Sequence, residues 1–375
     1  MKVGFFFTYG YSAQTWHDSG TLKRELKILE HLSSKYNYEF TLFTYGGLSD
    51  INLVESASHF DIVPIHTIVK KSSFKSINFL KSLMYPVFLR KKLRKFDIIH
   101  QHQLQGVWVT LLIKMLYKIP LIVRTGYDVY SFSKFEQKSK VKIYVYKLLT
   151  HLSLKFSNLY TVTSISDYEM LVKDFSANEN NLKIRPNHVD IPEKLEENFI
   201  RFQNKILSVG RLVEQKNFDV LISEFSDTAG TLEIDIVGSG ELKKSLTELS
   251  DSKKVSINFL GNIPHEELMN LYQKYKYFVS TSIFEGNPKT ILEAMSAGCI
   301  VIVSDIKNHS ELIKNGKDGV LFDLKNPNLK EIIANLDNNI PSSKEISNNA
   351  INRVRTQNSM ESIAEKIDND YQSFL

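Results

Sequence analysis

YFVSTSIFEGNPKTILEAMSAGCIVIVSD, from Tyr277 to Asp305, holds the plan of the chain in one piece. An apolar, β-branched run leads into a loop with Glu285, Gly286 and Asn287. Pro288 then opens a helical pattern that reaches Ala297, and CIVIVSD follows with hardly a polar atom before its end. Strands apolar on both faces belong to parallel sheets covered by helices. A strand, a helix and a second strand in that order make a right-handed crossover unit.

The same rhythm extends in both directions. Upstream in the second half, KILSVG (205–210), LEIDIVG (232–238) and VSINFLG (255–261) read as strands, and GVLFD (319–323) closes the series. In the first half KVGFFF (2–7), YEFTLFT (38–44), FDIIHQH (96–102), PLIVRT (120–125) and LYTVTS (159–164) do the same, with helices such as Thr21–Leu32 between them. The polar, proline-bearing stretch 187–204 separates the halves. The expectation is an α/β chain of two Rossmann-like, doubly wound domains facing a central cleft: 1–190, then 201–350, with 351–375 as a terminal helix. The 375 residues suit two domains. Ligands of such sheets bind at the carboxyl ends of the strands, so chemistry is expected in the loops there.

Composition narrows the classes. Lys and Arg number 47 against 42 Asp and Glu, a net charge of +5 that points to no nucleic-acid partner. The single cysteine, Cys299, rules out an internal disulfide and sits in an apolar run as a buried hydrophobe. The apolar start VGFFF breaks at Thr8-Tyr9-Gly10, too short for an export signal. The apolar run 106–123 is interrupted by Lys114, Lys118 and Pro120, which argues against a spanning helix. A cytoplasmic protein is expected.

Three stretches carry chemistry. In VGRLVEQKN, Arg211 and Lys216 follow a strand and precede a helix, a placement that suits a diphosphate; the alternative is two surface cations in a loop. In VGSGE, Gly238 and Gly240 permit close approach of a ligand or simply make a tight strand-to-helix turn. In SIFEGNPK, Pro288 begins a helix whose first amides, at residues 287–290, offer hydrogen bonds to an anion. Glu285 beside them would repel phosphate but accept hydroxyl hydrogen bonds, and Glu293 two turns on could accept from a ribose diol. Cations and amides for phosphate with two acids for hydroxyls describe a nucleotide-sugar. For Glu293 alone, a helix acid favoured by the macrodipole is the competing reading.

RPNHVDIP, VGRLVEQKN, VGSGE, FLGNIPHEEL and STSIFEGNPKTILEAMSAGCIVIVSD with SELIKNGKDGVLF resemble, from Arg185 to Phe322, the C-terminal half of retaining GT-B glycosyltransferases of family 4. The resemblance implies that Arg211 and Lys216 hold the donor diphosphate and that Glu285 meets the transferred sugar. Glu293 would meet the ribose, Gly286, Asn287, Pro288 and Lys289 would line the sugar–phosphate pocket, and the loop through Ile263 would lie against the base. It also implies a terminal helix, 360–374, crossing back onto the first domain, and metal-independent transfer with no cofactor. The first half departs further from the pattern. Gly20 alone stands for a glycine-rich loop, and Gly126 occupies the place of the family's usual histidine. His102, at a strand end, matches a recurrent histidine there; with Arg124 and Asp128 it is assigned to the acceptor side. His100 and His102 are too few for a metal site.

Residues 70–96 interleave aromatic and aliphatic residues with Lys and Arg and contain no acid. Such a segment suits an anionic lipid surface, or a helix packed on its apolar side. A glycan or lipid-linked acceptor and peripheral attachment to the inner face of the cell membrane are therefore expected. The competing function is a non-catalytic, two-lobed sugar- or nucleotide-binding protein. A nicotinamide oxidoreductase would need a full glycine fingerprint after the first strand, where TYGYSAQ stands instead.

Overall fold

The apolar runs close into two parallel sheets. The computed structural model describes residues 1–192, 201–228 and 230–374; much of the expected linker, 193–200, lies outside the described residues. Met1–Pro186 with Ala364–Leu375 form one unit, and Asn187–Ile363 form the other.

In the first unit β1 (Lys2–Phe6), β2 (Glu39–Thr44), β3 (Asp61–Pro64), β4 (Ile98–His102), β5 (Leu121–Thr125), β6 (Leu159–Val162) and β7 (Leu182–Ile184) line up in the order β3-β2-β1-β4-β5-β6-β7. Every pairing between neighbours is parallel. Sequence reading found five of these strands and missed β3 and β7. Both missed strands are short, carry a charge (Asp61, Lys183), and form the two edges of the sheet. Edge strands are kept short and charged because long apolar edges invite wrong pairing, and that same economy removes the pattern that would reveal them. Residues from the chain's end complete this unit. Asp370 accepts hydrogen bonds from Arg185 Nε (2.6 Å) and Lys183 Nζ (2.9 Å), and the Tyr371 hydroxyl meets His100 Nδ1 at 2.7 Å.

The second unit repeats the design with β8 (Phe202–Val209), β9 (Glu233–Val237), β10 (Ser256–Gly261), β11 (Tyr275–Ser280), β12 (Ile300–Ser304) and β13 (Val320–Phe322), in the order β10-β9-β8-β11-β12-β13. Every residue of β12 is buried, as expected for a strand covered on both sides. Leu207, Phe278, Val301 and Val303 feed one apolar cluster, whereas Ile206, Tyr277, Val279 and Ile302 feed the other. Successive residues pointing to opposite faces thus build two cores from one sheet. The helix after β11 spans Lys289–Ser296, with Pro288 at its N-cap, one residue earlier than the first helical position expected for it. Gly298, at φ +78°, ends it: the left-handed turn lets the Cys299 N–H bond to Ala294 O at 2.9 Å and starts β12 at once.

Candidate active site

Two loops of the second unit, one after β8 and one after β11, are tied together residue by residue. The Ile283 N–H donates to Gln215 O at 3.0 Å, and Gln215 Nε2 donates to Phe284 O at 2.9 Å. Thr281 Oγ1 donates to the carbonyls of Lys216 and Asn217, at 3.0 and 2.8 Å. Asn217 takes a left-handed backbone (φ 52°), which turns the chain sharply from a short 3₁₀ turn (Glu214–Lys216) into the helix Phe218–Glu224. The sharp turn aims Lys216 back across the strand ends, where Nζ pairs with Glu285 Oε1 and both side chains are largely buried. Gln215 Nε2 adds a contact at 3.4 Å to the other carboxylate oxygen. An ammonium has three donors, so the pairing with Glu285 leaves others for a ligand. Arg211 is exposed, and its Nη2 donates to Gln215 Oε1 at 3.4 Å.

Behind this pair stands a residue that sequence reading passed over. His309 is fully buried in the short helix Lys307–Leu312 after β12, and its Nδ1 meets Ser304 O at 2.8 Å. Taken as Nδ1–H, the ring donates there, and Ser304 Oγ in turn donates to Ser282 O at 2.5 Å, fixing the loop that holds Glu285. Burial lowers the His309 pKa to about 4, the nearby charge of Glu285 raising it and that of Lys216 lowering it. The imidazole is therefore neutral at physiological pH. Nothing local in KNHSEL marks this residue; it is found only once β12 and the Glu285 loop are side by side.

The glycines have a definite use. A Cβ on Gly238 (φ +135°) would lie 2.0 Å from Gly210 O, and one on Gly240 would lie 2.3 Å from Leu212 O. The loop after β9 thus presses its backbone against the loop carrying Arg211. Of the two readings of VGSGE, the contact seen is backbone on backbone.

Glu293 is enclosed. Its carboxylate accepts from the Tyr272 hydroxyl at 3.3 Å and lies 3.7 Å from His265 Nδ1, while His265 Nε2 is 3.3 Å from Asp190 Oδ2. Ile263 packs against the adjoining core cluster. Asn287 accepts two hydrogen bonds from Asn187, at Oδ1 from the backbone N–H (3.0 Å) and at its carbonyl from Nδ2 (2.7 Å), holding the start of the Lys289 helix to the beginning of the unit. Gly286 and Pro288 are buried beside it and Lys289 is half-buried.

This half of the chain matches a known family. Residues 190–353 fit the family described as Glycosyl transferases group 1. Over these residues the chain is similar to the group 1 glycosyl transferases. The UDP-Gal:alpha-D-GlcNAc-diphosphoundecaprenol alpha-1,3-galactosyltransferase of Escherichia coli is 28% identical over 275 residues, 67% of this chain and 69% of that one. The N-acetylgalactosamine-N,N'-diacetylbacillosaminyl-diphospho-undecaprenol 4-alpha-N-acetylgalactosaminyltransferase of Campylobacter jejuni is 30% identical over 199 residues, 51% and 53% of the two chains. Among solved structures, Anabaena HepE in complex with UDP and glucose superposes with a TM-score of 0.75 at 16% identity, covering all of both chains. The fold is GT-B, and the chain is a glycosyltransferase.

Within such a transferase the expected residues fall into separate places. Arg211, Lys216 and Glu285 come together in the second unit, next to the turn formed by Gly286–Lys289, while Glu293 and Ile263 lie in the enclosure described above. In the first unit, Gly20 (φ +69°) makes the turn after the helix Ala13–Asp18, its N–H bonded to His17 O at 2.9 Å. His102 and Arg124 are register partners on β4 and β5. The His102 ring lies against Phe5 and Trp16, with centroids 5.7 and 5.6 Å away. Burial lowers the pKa of Arg124, against the raising effect of Glu25 and Tyr371. Asp128 is the N-cap of the helix Val129–Phe135, accepting from Ser131 N at 2.6 Å, and burial raises its pKa. Gln103 fills the space over Gly126: its Oε1 accepts from Gly126 N at 2.9 Å, and its Nε2 would be 2.8 Å from a Cβ there.

Among the described residues, no group of three His, Cys, Asp or Glu side chains could hold a metal ion, and no helix is long and apolar enough to cross a membrane.

Proposed function

We propose that this glycosyltransferase moves a sugar from a nucleotide-diphosphate donor to a glycan or lipid-linked acceptor, with retention of anomeric configuration and without a metal. The observation that carries the reading is the Lys216–Glu285 pair at the adjoining ends of β8 and β11. A carboxylate suited to hydroxyls and an ammonium suited to a diphosphate are held side by side, which matches the two ends of a nucleotide-sugar's reacting bond. As the bond from the anomeric carbon to phosphate breaks, negative charge grows on the leaving diphosphate. Lys216, Arg211 and the first amides of the helix Lys289–Ser296 are the groups available to offset it. Gly286, Asn287, Pro288 and Lys289 line that pocket, Glu285 holds the sugar, and Glu293 serves the ribose once the nucleotide enters its enclosure. His102, Arg124 and Asp128 belong to the acceptor side. Two relatives are named for transfer to diphosphoundecaprenol-linked sugars, which favours a lipid-linked acceptor. It also favours work at the cytoplasmic face of the membrane, with residues 70–96 against the lipid.

Release of nucleotide diphosphate is measured with a panel of nucleotide-sugars, and product stereochemistry by NMR. One donor should be turned over in preference to the rest and give a product of unchanged configuration. Tight binding of a donor with no release of nucleotide, in the presence of lipid-linked and free glycan acceptors, would favour the binding-protein reading. Calorimetry with the bare nucleotide diphosphate then separates the acids. Glu285→Gln should leave affinity nearly intact and Glu293→Gln should weaken it; equal losses would sink the division between them.

A further inference from the structure

We infer that the first unit binds an anionic lipid surface through a platform of three helices, of which residues 70–96 form only one part. The inference rests on the membrane reading above and extends it to the helix Lys140–Phe156, which no feature of 70–96 implies.

That helix is apolar on its outward side as well as on its inward one, where Ile143, Tyr146, Leu149 and Leu152 are half-buried. Its buried residues are Thr150 and Ser153, both polar. Val141, Tyr144, Val145 and Leu148, spaced i, i+3, i+4, i+7, form a stripe facing outward and are 73%, 67%, 44% and 45% exposed. A surface helix of a globular protein puts such a stripe toward the core. Lys140, Lys142 and Lys147 flank the stripe and are exposed. The helix Lys75–Leu83 goes further: Ser82 is its buried residue, while Ile77, Phe79, Leu80 and Leu83 are exposed. Between the two lies the helix Val107–Tyr117, which adds exposed Met115 and Leu116.

These helices are neighbours. Trp108 Nε1 donates to Ser82 Oγ at 2.8 Å and its ring meets Phe79 at 5.3 Å, while Tyr117 donates to Pro86 O at 2.9 Å. On the other side Gln105 Nε2 donates to the Tyr146 hydroxyl at 3.3 Å, and the helix Lys140–Phe156 packs on Val107–Tyr117. The crossovers from β3 to β4, β4 to β5 and β5 to β6 all step the same way along the sheet, so right-handed connections bring their helices to one face.

Charge selects the occupant. Between Asp61 and Asp167 the only acids are Asp97, Asp128 and Glu136, and Asp128 is buried in its capping role. A face with exposed aliphatic stripes and an almost unbroken cationic surround complements an anionic headgroup layer over hydrocarbon. A second copy docked by a two-fold axis would set this cationic face against itself. Nucleic acid would satisfy the lysines but leave Val141, Leu148, Met115 and Leu116 against phosphate.

The test uses the full chain and vesicles of phosphatidylglycerol with phosphatidylcholine. Cys299 is buried, so Val141→Cys supplies one accessible thiol for an environment-sensitive dye. The dye should shift to the blue on addition of anionic vesicles, and the shift should fade with salt. Co-sedimentation should fall at least tenfold for Val141→Ser/Tyr144→Ser/Leu148→Ser and likewise for Leu80→Ser/Phe88→Ser, with thermal unfolding unchanged. If the protein pellets with vesicles but the dye does not shift and the first triple variant binds as the parent does, the platform is wrong and attachment through 70–96 stands. If the parent chain pellets with no vesicle at low salt, both fall. Tighter binding to a short DNA duplex than to vesicles, or a dimer in light scattering that the triple variant abolishes, would overturn the lipid assignment in favour of nucleic acid or a second copy.

Discussion

The loops of the second unit and the helical face of the first treat the same residue types in opposite ways. In the loops a lysine and a glutamate are drawn inside, and each finds its partner. On the helical face valine, leucine and tyrosine are left outside, while threonine and serine turn inward. A buried charge without a partner is costly, and an exposed apolar stripe gives up burial free energy, so both arrangements run against folding stability alone. Both are where binding is proposed. Departures from the ordinary inside–outside rule thus point to function from two directions.

That comparison can be broken at several points. The largest effect is expected at Gly238, where a Cβ would sit 2.0 Å from Gly210 O in a backbone conformation that side chains avoid. Gly238→Ala should cost about 4 kcal/mol of stability in denaturant unfolding. A loss under about 1 kcal/mol would mean that the two loops are not pressed together. Next comes burial itself. Ile302, fully buried in β12, should cost about 3 kcal/mol on replacement by Ala, whereas Leu148→Ala on the outward stripe should stay within about 0.5 kcal/mol. Equal losses in the two variants, read from chemical denaturation, would mean that the Lys140–Phe156 stripe is a core after all.

A third test separates the two cations. Lys216→Ala should lower turnover roughly 30- to 100-fold, corresponding to about 2–3 kcal/mol of lost leaving-group stabilisation. Arg211, exposed and loosely tied, should lose less on the same change. A larger loss for Arg211→Ala in steady-state kinetics would reverse the roles given to them.

The last test is of pH, where the effect is spread over several units. Burial holds His309 near 4 and His100 near 3, both below the usual histidine value of about 6.5. Their neutral forms are favoured by the fold, so their contribution is complete above about pH 6.5 and declines as pH falls toward the folded values. Each should lower stability by about 1.4 kcal/mol per pH unit across that window. His309→Gln should flatten the slope between pH 6.5 and 4; an unchanged slope in denaturant melts would show that another group carries it.

Much was legible in the chain before any coordinates. The strands β1, β4 and β12 were plain because runs such as GFFF, DIIH and CIVIV leave a parallel sheet no other reading. Glu285, Arg211 and Lys216 could be singled out because chemistry at strand ends is local: a loop, a glycine or proline, a helix start. The short edge strands β3 and β7 escaped because their brevity is their protection. Gln103 could not be read as filling the space over Gly126, since that depends on two strand ends meeting 23 residues apart.

By itself, then, the sequence determined the alternation of strand and helix and the residue types at each strand end, because periodicity and turn chemistry act over a few residues. Tertiary structure alone decided that Lys216 meets Glu285 across 69 positions, that His309 backs the Glu285 loop, and that the Lys140–Phe156 helix leaves the stripe Val141, Tyr144, Val145 and Leu148 on the outside. A period fixes that a helix has two faces. Which face meets the sheet is set only when the sheet closes and the neighbouring helices have taken their places.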